Sequence, residues 1–150
     1  MRHKSIITAV LLLTASACSH HAGRYVLISA PAVDTACDGL TITRVELTDS
    51  STRVHFHLIC DADSWVTLES SAHITSKGVC YPMIGHEGLT PDHKTAITGN
   101  DRELDFTLIF SPLPSTATEF NFLEGRAAGS WCMLGVKLNE NITANSYASN

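Results

Sequence analysis

The chain has 150 residues, of which 44% are hydrophobic and 17% are charged, and its formal net charge is −5. This composition is that of a folded globular protein, and it excludes a collagen-like, low-complexity or disordered chain. The acidic balance argues against a nucleic-acid partner, which would require a basic face.

The N-terminal segment has the three parts of a secretory signal peptide, which we place at residues 1–17. Arg2 and Lys4 form a positive region, residues 6–13 form a short apolar run, and small residues follow. The apolar run is shorter than the about 20 residues that a membrane-spanning helix needs. The sequence therefore predicts export.

Cys18 directly follows the small residues Ala15-Ser16-Ala17. Bacterial lipoprotein signals resemble this stretch, and their cysteine becomes the lipidated first residue. The resemblance implies lipidation of Cys18, a polar tether over residues 18–23, and a membrane-anchored lipoprotein of the cell envelope, at the outer membrane or the periplasmic face. The family prefers leucine where this chain has Ala15, so the alternative is ordinary cleavage, which leaves Cys18 unlipidated and the protein secreted.

Short alternating runs rich in β-branched and aromatic residues follow the tether, separated by turn residues. The predicted strands cover residues 25–29, 40–47, 53–60, 65–69, 73–75, 79–84, 103–110, 119–122 and 131–138. The fold class is therefore all-β, and the strand spacing favours an immunoglobulin-like two-sheet sandwich over residues 24–138. Residues 139–150 form a polar tail.

Alternation along these strands predicts which side chains face the core. On one strand His55, His57 and Ile59 take the face opposite the core. The predicted core contains Val54, Phe56, Leu58, Phe106, Leu108, Phe110, Phe120 and Phe122.

Three motifs resemble a known family. They are Lys77-Gly78-Val79-Cys80-Tyr81-Pro82, then Phe106-Thr107-Leu108-Ile109-Phe110-Ser111-Pro112-Leu113-Pro114, then Phe120-Asn121-Phe122-Leu123-Glu124-Gly125. Over residues 40–138 the chain resembles an extracytoplasmic β-sandwich domain that often precedes a thioredoxin-like domain in secreted bacterial redox proteins. The resemblance implies the fold and the compartment. It carries over no active residue, because the family's catalytic dithiol belongs to the following domain.

Five cysteines are an odd number for an exported chain. If Cys18 carries lipid, an oxidising compartment permits two disulfides among the remaining four. These candidates are Cys37, Cys60, Cys80 and Cys132. Of the three connectivities, we favour Cys60–Cys80, which flank neighbouring strands, with Cys37–Cys132, which would tie the opening segment to the last strand. Four buried free thiols are the alternative.

His55 and His57 lie two residues apart on one strand face, a spacing that can chelate zinc or copper. We favour solvated histidines, because that face is the polar one, and expect no metal and no other cofactor. Asp61 and Asp63 could hold calcium, but a solvated turn is favoured. Glu124 is expected to fix its loop by accepting backbone N–H bonds.

No nucleophile with a positioned base and no glycine-rich phosphate loop occurs at a recognisable spacing. We therefore expect a non-enzymatic module, held at the membrane by its N-terminal lipid. It would bind an envelope protein or polymer through a sheet edge or the loops at one end. The alternative is an accessory to extracytoplasmic redox or metal chemistry, suggested by the family's usual neighbour and by the two histidines.

Overall fold

The computed structural model describes residues 23–61, 63–97, 102–127 and 129–139. These residues form strands and no helix, so none of them belongs to a helix long and apolar enough to cross a membrane. The strands are β1 (Tyr25–Ser29), β2 (Val33–Thr35), β3 (Leu40–Thr48), β4 (Thr52–Ile59), β5 (Trp65–Val66), β6 (His73–Ser76), β7 (Val79–Glu87), β8 (Thr95–Ala96), β9 (Glu103–Phe110), β10 (Glu119–Leu123) and β11 (Cys132–Lys137). The predicted all-β class is confirmed. The predicted signal peptide, Cys18 and residues 140–150 of the tail lie outside the described residues.

Nine of these strands form one curled sheet, in the order β1-β3-β4-β9-β7-β6-β10-β11-β2, and β5 pairs with β8 in a second, small sheet. β7 is the corner of the large sheet, because its first half pairs with β6 and its second half with β9. A register shift between Met83 and Gly85 lies where β7 exchanges one partner for the other. The curl thus divides the sheet into two halves that share β7.

The two edge strands of the curled sheet, β1 and β2, follow each other in the chain. The Ala30 N–H donates to the Thr43 carbonyl on β3 at 2.8 Å, and the Lys137 N–H of β11 donates to the Ala32 carbonyl at 2.8 Å. Within three residues the chain therefore passes from one edge of the sheet to the other. β1, β2 and the residues between them thus close the curl along this side.

Phenylalanine rings fill the space between the two halves. The Phe122 ring of β10 lies 4.9 Å from that of Phe56 on β4 and 6.3 Å from that of Phe110 on β9, between centroids. All eight predicted core residues are buried. Such contacts between facing sheet surfaces are those of a sandwich-like fold, and the predicted strand faces are confirmed.

The nine predicted strands are all present, with different ends in several cases. β5 stops at Val66, well short of the predicted residue 69, and the Leu68 carbonyl accepts instead from the Asp92 N–H of a neighbouring loop at 2.8 Å. The sequence did not predict β2 or β8, because strands of three and two residues are too short to show alternation.

Candidate functional site

The outer face of β3, β4 and β9 carries hydrogen bonds centred on His55. Its Nε2 lies 2.9 Å from Glu46 Oε1, and its Nδ1 lies 2.8 Å from Thr107 Oγ1. Because a carboxylate only accepts, Nε2 holds the proton of the neutral ring and Nδ1 accepts from the threonine hydroxyl. Burial, and next the charge of Arg44, lower the pKa of His55 below its usual 6.5. The neutral ring is therefore favoured.

The other charged side chains of this face are paired as well. His57 Nδ1 lies 2.7 Å from Asp105 Oδ1, and Arg53 Nη2 donates to Glu87 Oε1 at 2.7 Å. A groove of about 620 Å³ runs along the face. Since its charged groups already have partners, the groove offers a ligand little unpaired charge.

His55 and His57 share this face, as predicted, but different carboxylates hold the two rings. Within the described ranges, no three His, Cys, Asp or Glu side chains are grouped as metal ligands. Asp63, one of the two carboxylates considered for calcium, lies in the turn after β4 with a φ of 54°. The two histidines are thus part of the hydrogen-bonded network of the face.

The four cysteines predicted to form disulfides are free thiols in the structure. The Cys60 N–H donates to the carbonyl of Arg102, next to the start of β9, whereas Cys80 lies three residues before Met83, the partner of Phe110 at the end of β9. β9 has eight residues, and a strand of eight residues spans about 26 Å. A disulfide allows only about 7 Å between Cα atoms. The favoured Cys60–Cys80 pairing is therefore wrong.

Trp65 and Trp131 lie at one end of the fold. Trp65 opens β5, its side chain is 56% exposed, and Lys94 Nζ lies 3.9 Å from its ring centroid. Trp131 directly precedes β11, and its indole stacks on Phe106 with the centroids 6.0 Å apart. One indole is thus anchored on the core while the other lies at the surface.

Two grooves, of about 460 Å³ and about 340 Å³, share these two tryptophans as lining residues. Four carboxyl side chains line them too, Asp38 and Asp61 in the larger, Glu69 and Glu124 in the smaller. None of the described lining residues is a lysine or arginine. We call this surface, made of the two indoles and the four carboxyl groups, the tryptophan groove.

Glu124 fixes the loop that leads to Trp131. Its N–H donates to the Trp131 carbonyl at 2.9 Å, and its Oε2 accepts from the Trp131 N–H at 2.7 Å. The predicted role of Glu124, accepting a backbone N–H bond across this loop, is confirmed. Burial raises the pKa of Glu124 above its usual 4.5, although the hydrogen bond from Trp131 opposes the rise.

The tryptophan groove presents oxygen acceptors to a ligand. Ser71 Oγ donates to Glu69 Oε2 at 2.9 Å, and Ser130 Oγ donates to Glu69 Oε1 at 3.3 Å, which holds this carboxylate beside Glu124. On the larger groove, Ser64 Oγ is buried and has no hydrogen-bond partner among the described residues. A ligand with N–H donors would match the carboxylate oxygens of this groove.

Sequence reasoning did not identify the two tryptophans as a site. Each follows a serine directly, Ser64 and Ser130, but Trp65 and Trp131 are 66 positions apart in the chain. Only the curl of the sheet brings them to one surface. Comparison of the chain with models of protein families, with curated proteins and with solved structures gave no match.

Proposed function

We propose that this protein is an exported bacterial lipoprotein whose β-sandwich binds a basic segment of another envelope protein in the tryptophan groove. The lipid on Cys18 would hold the domain at the outer membrane or the periplasmic face, with residues 18–23 as the tether. Without that lipid the same domain would be secreted. The domain acts by binding and catalyses no reaction.

The composition of the tryptophan groove carries this proposal. It combines two indoles with four carboxyl groups, and its described lining residues include no cationic side chain. An indole face attracts ammonium and guanidinium groups by about 0.5–2 kcal/mol each, and a cleft with acidic walls concentrates cations. Lys94 above Trp65 is an intramolecular instance of this contact.

The sequence resemblances belong to the same proposal. An immunoglobulin-like sandwich, with β7 shared by both layers, is supported by the phenylalanine contacts between the two halves. The resemblance to the β-sandwich domain that precedes thioredoxin-like domains in secreted bacterial redox proteins favours a location outside the cytoplasm. A role in metal handling has less support, because separate carboxylates hold His55 and His57.

Calorimetric titration of the full chain in detergent with decalysine tests the binding surface. We expect binding that weakens steeply with added salt, because surface charges are screened within about 8 Å at physiological ionic strength. Trp65→Ala and Asp61→Asn should each weaken it severalfold. Lys94→Ala should strengthen it, since the variant removes a like charge and a competing contact with Trp65.

Tyr25→Ala is the matched control, because Tyr25 is an exposed aromatic residue on β1 and is not a lining residue of either groove. The proposal would be contradicted if all four variants bound decalysine with equal affinity. It would also be contradicted if the wild-type protein bound decaglutamate as tightly as decalysine.

Mass spectrometry of the native protein tests the anchor separately. We expect a mature N-terminus at Cys18 that carries acyl chains, and loss of membrane association in the Cys18→Ser variant. An unmodified Cys18, or a chain that retains Met1, would contradict lipidation without bearing on the groove.

A further inference from the structure

The register of β2 and β11 places two of the cysteines opposite each other. Val136 faces Val33, and Leu134 faces Thr35, in antiparallel pairing. Continued by two residues, the same register sets Cys132 opposite Cys37. From this register we infer that these two thiols form a disulfide in the mature protein.

The facing positions favour a cross-link. The hydrogen bond from the Lys137 N–H to the Ala32 carbonyl makes Val33 with Val136 a non-hydrogen-bonded pair. This alternation of pair types does not extend to the cysteines, because Gly135, with a φ of 65°, donates its N–H to Asn121 Oδ1 and not to β2. Residues directly opposite each other on antiparallel strands have Cβ atoms about 4.5–5.5 Å apart, near the about 3.5–4.5 Å of a disulfide. Asp38 and Trp131, the chain neighbours of the two cysteines, line the same groove.

The surroundings of Cys37 hold it in place. It forms an isolated bridge with Leu40, whose N–H donates to the Cys37 carbonyl at 3.2 Å, and its side chain packs against the core. Cys132 is half-buried and directly follows Trp131. A bond between the two cysteines would therefore clamp edge strand β2 to β11 beside the tryptophan groove.

The remaining two thiols lie elsewhere. Cys60 Sγ lies 3.6 Å from the Arg102 carbonyl, and Cys80 is exposed near the β6–β7 turn. The sheet keeps them apart by most of the length of β9, as described above. We therefore expect one disulfide and two thiols in the described part of the chain.

The chemistry needs an oxidant, which is a disulfide donor. One cysteine thiolate attacks the donor, forms a mixed disulfide and releases the first reduced thiol. The second thiolate then displaces the other half of the donor, so that Cys37 and Cys132 together lose two protons and two electrons. In the cell this step rests on the proposed export, because disulfides persist in oxidising compartments. In the test tube oxidised glutathione replaces the cellular donor.

Peptide mapping of the full chain tests the inference. The protein is purified in detergent, exposed to oxidised glutathione, blocked with iodoacetamide under denaturing conditions and digested without reductant. We expect a single cross-linked peptide pair that joins Cys37 to Cys132, with Cys60 and Cys80 alkylated. A cross-link of Cys37 to Cys60, or alkylation of all four cysteines, would overturn the inference.

Thermal unfolding supplies the second measurement. Oxidation should raise Tm by about 5–10 °C, because the bond closes a long loop. Cys37→Ser, Cys132→Ser and the double variant should each lose the whole rise, whereas the Cys60→Ser, Cys80→Ser double variant should keep it. A rise that survives in Cys37→Ser would also refute the bond.

The same peptide map reports on Cys18 independently. A protein with the cross-link but an unmodified Cys18 would retain this inference and refute the lipid anchor. The opposite result is protein from the cell envelope in which Cys18 is acylated while Cys37 and Cys132 remain free thiols, even after treatment with oxidised glutathione. That result would support the lipid anchor and refute the disulfide.

Discussion

The Glu124 carboxylate accepts a hydrogen bond of 2.7 Å from the N–H of Trp131, seven residues further along the chain. Because Trp131 also stacks on Phe106, this bond joins one wall of the tryptophan groove to the core. We expect Glu124→Ala to lower the free energy of unfolding by about 1–3 kcal/mol, the usual cost of losing a hydrogen bond to a charged acceptor. Chemical denaturation measures this change. Glu103→Ala, an exposed control, should change it by less than about 0.5 kcal/mol.

The raised pKa of Glu124 gives its contribution to stability a defined pH dependence. The folded state holds the proton to higher pH than the unfolded state, whose value is near 4.5. This stabilisation is complete below pH 4.5 and is lost as the pH rises through the folded-state pKa. Glu124→Gln keeps an acceptor for the Trp131 N–H and does not ionise.

The Tm of wild type should therefore fall relative to that of Glu124→Gln as the pH rises from about 4 to about 7. Parallel Tm curves for the two proteins would show that burial does not shift this carboxyl group.

His55 should have the opposite pH dependence. Its folded-state pKa lies below the usual 6.5, so the unfolded state binds the proton more readily. The stabilisation from this histidine is present above pH 6.5 and is lost as the pH falls through the folded-state pKa. His55→Gln should reduce the loss of Tm on acidification in that window, while His93→Gln in an exposed loop should not. If the Tm of both variants changes with pH as the Tm of wild type does, burial does not affect the protonation of His55.

Two glycines provide a matched test of a close backbone contact. Gly88 and Gly78 have φ values of +87° and +78°, but only at Gly88 would a Cβ atom meet backbone, 2.7 Å from the Asp105 carbonyl oxygen. Gly78→Ala should cost about 1–2 kcal/mol, the penalty of the left-handed conformation. Gly88→Ala should cost about 1–3 kcal/mol more, because the strands must move apart. Equal unfolding free energies for the two variants would mean that β7 and β9 separate freely there.

Phe122 connects the two halves of the curled sheet and is fully buried. Phe122→Ala should destabilise the protein by about 3–5 kcal/mol, a large part of the 5–15 kcal/mol that is typical of a domain. Leu134→Ala, at a position 38% exposed, should cost much less. Differential scanning calorimetry compares the two variants, and an unchanged Tm for Phe122→Ala would contradict the packing of the two halves.

The alternation of side chains predicted most of the strands and the eight core residues, because burial on one face of a strand is a local property of the sequence. The corner at β7 is not local. It depends on a register shift between Met83 and Gly85 that exchanges β6 for β9 as the partner. The same limitation explains the wrong Cys60–Cys80 pairing, since proximity of strands in the sequence did not give the position of each cysteine along them.

The tryptophan groove was not predictable for a related reason. Trp65 belongs to a two-residue strand and Trp131 to a loop, so neither shows a periodic pattern. Their meeting depends on the curl of the whole sheet. Glu124 was predicted correctly because its partner lies in its own loop.

Because β1 and β2 close the sheet, the protein folds in a particular order. β2 finds its partner only in the last strand, and the contact of Lys137 with Asp34 joins residues 103 positions apart. Contacts this distant in sequence are slow to form, and a chain is synthesised from its N-terminus. β2 thus stays without its strand partner until β11 has emerged, whereas β1, which precedes it, pairs with the early strand β3.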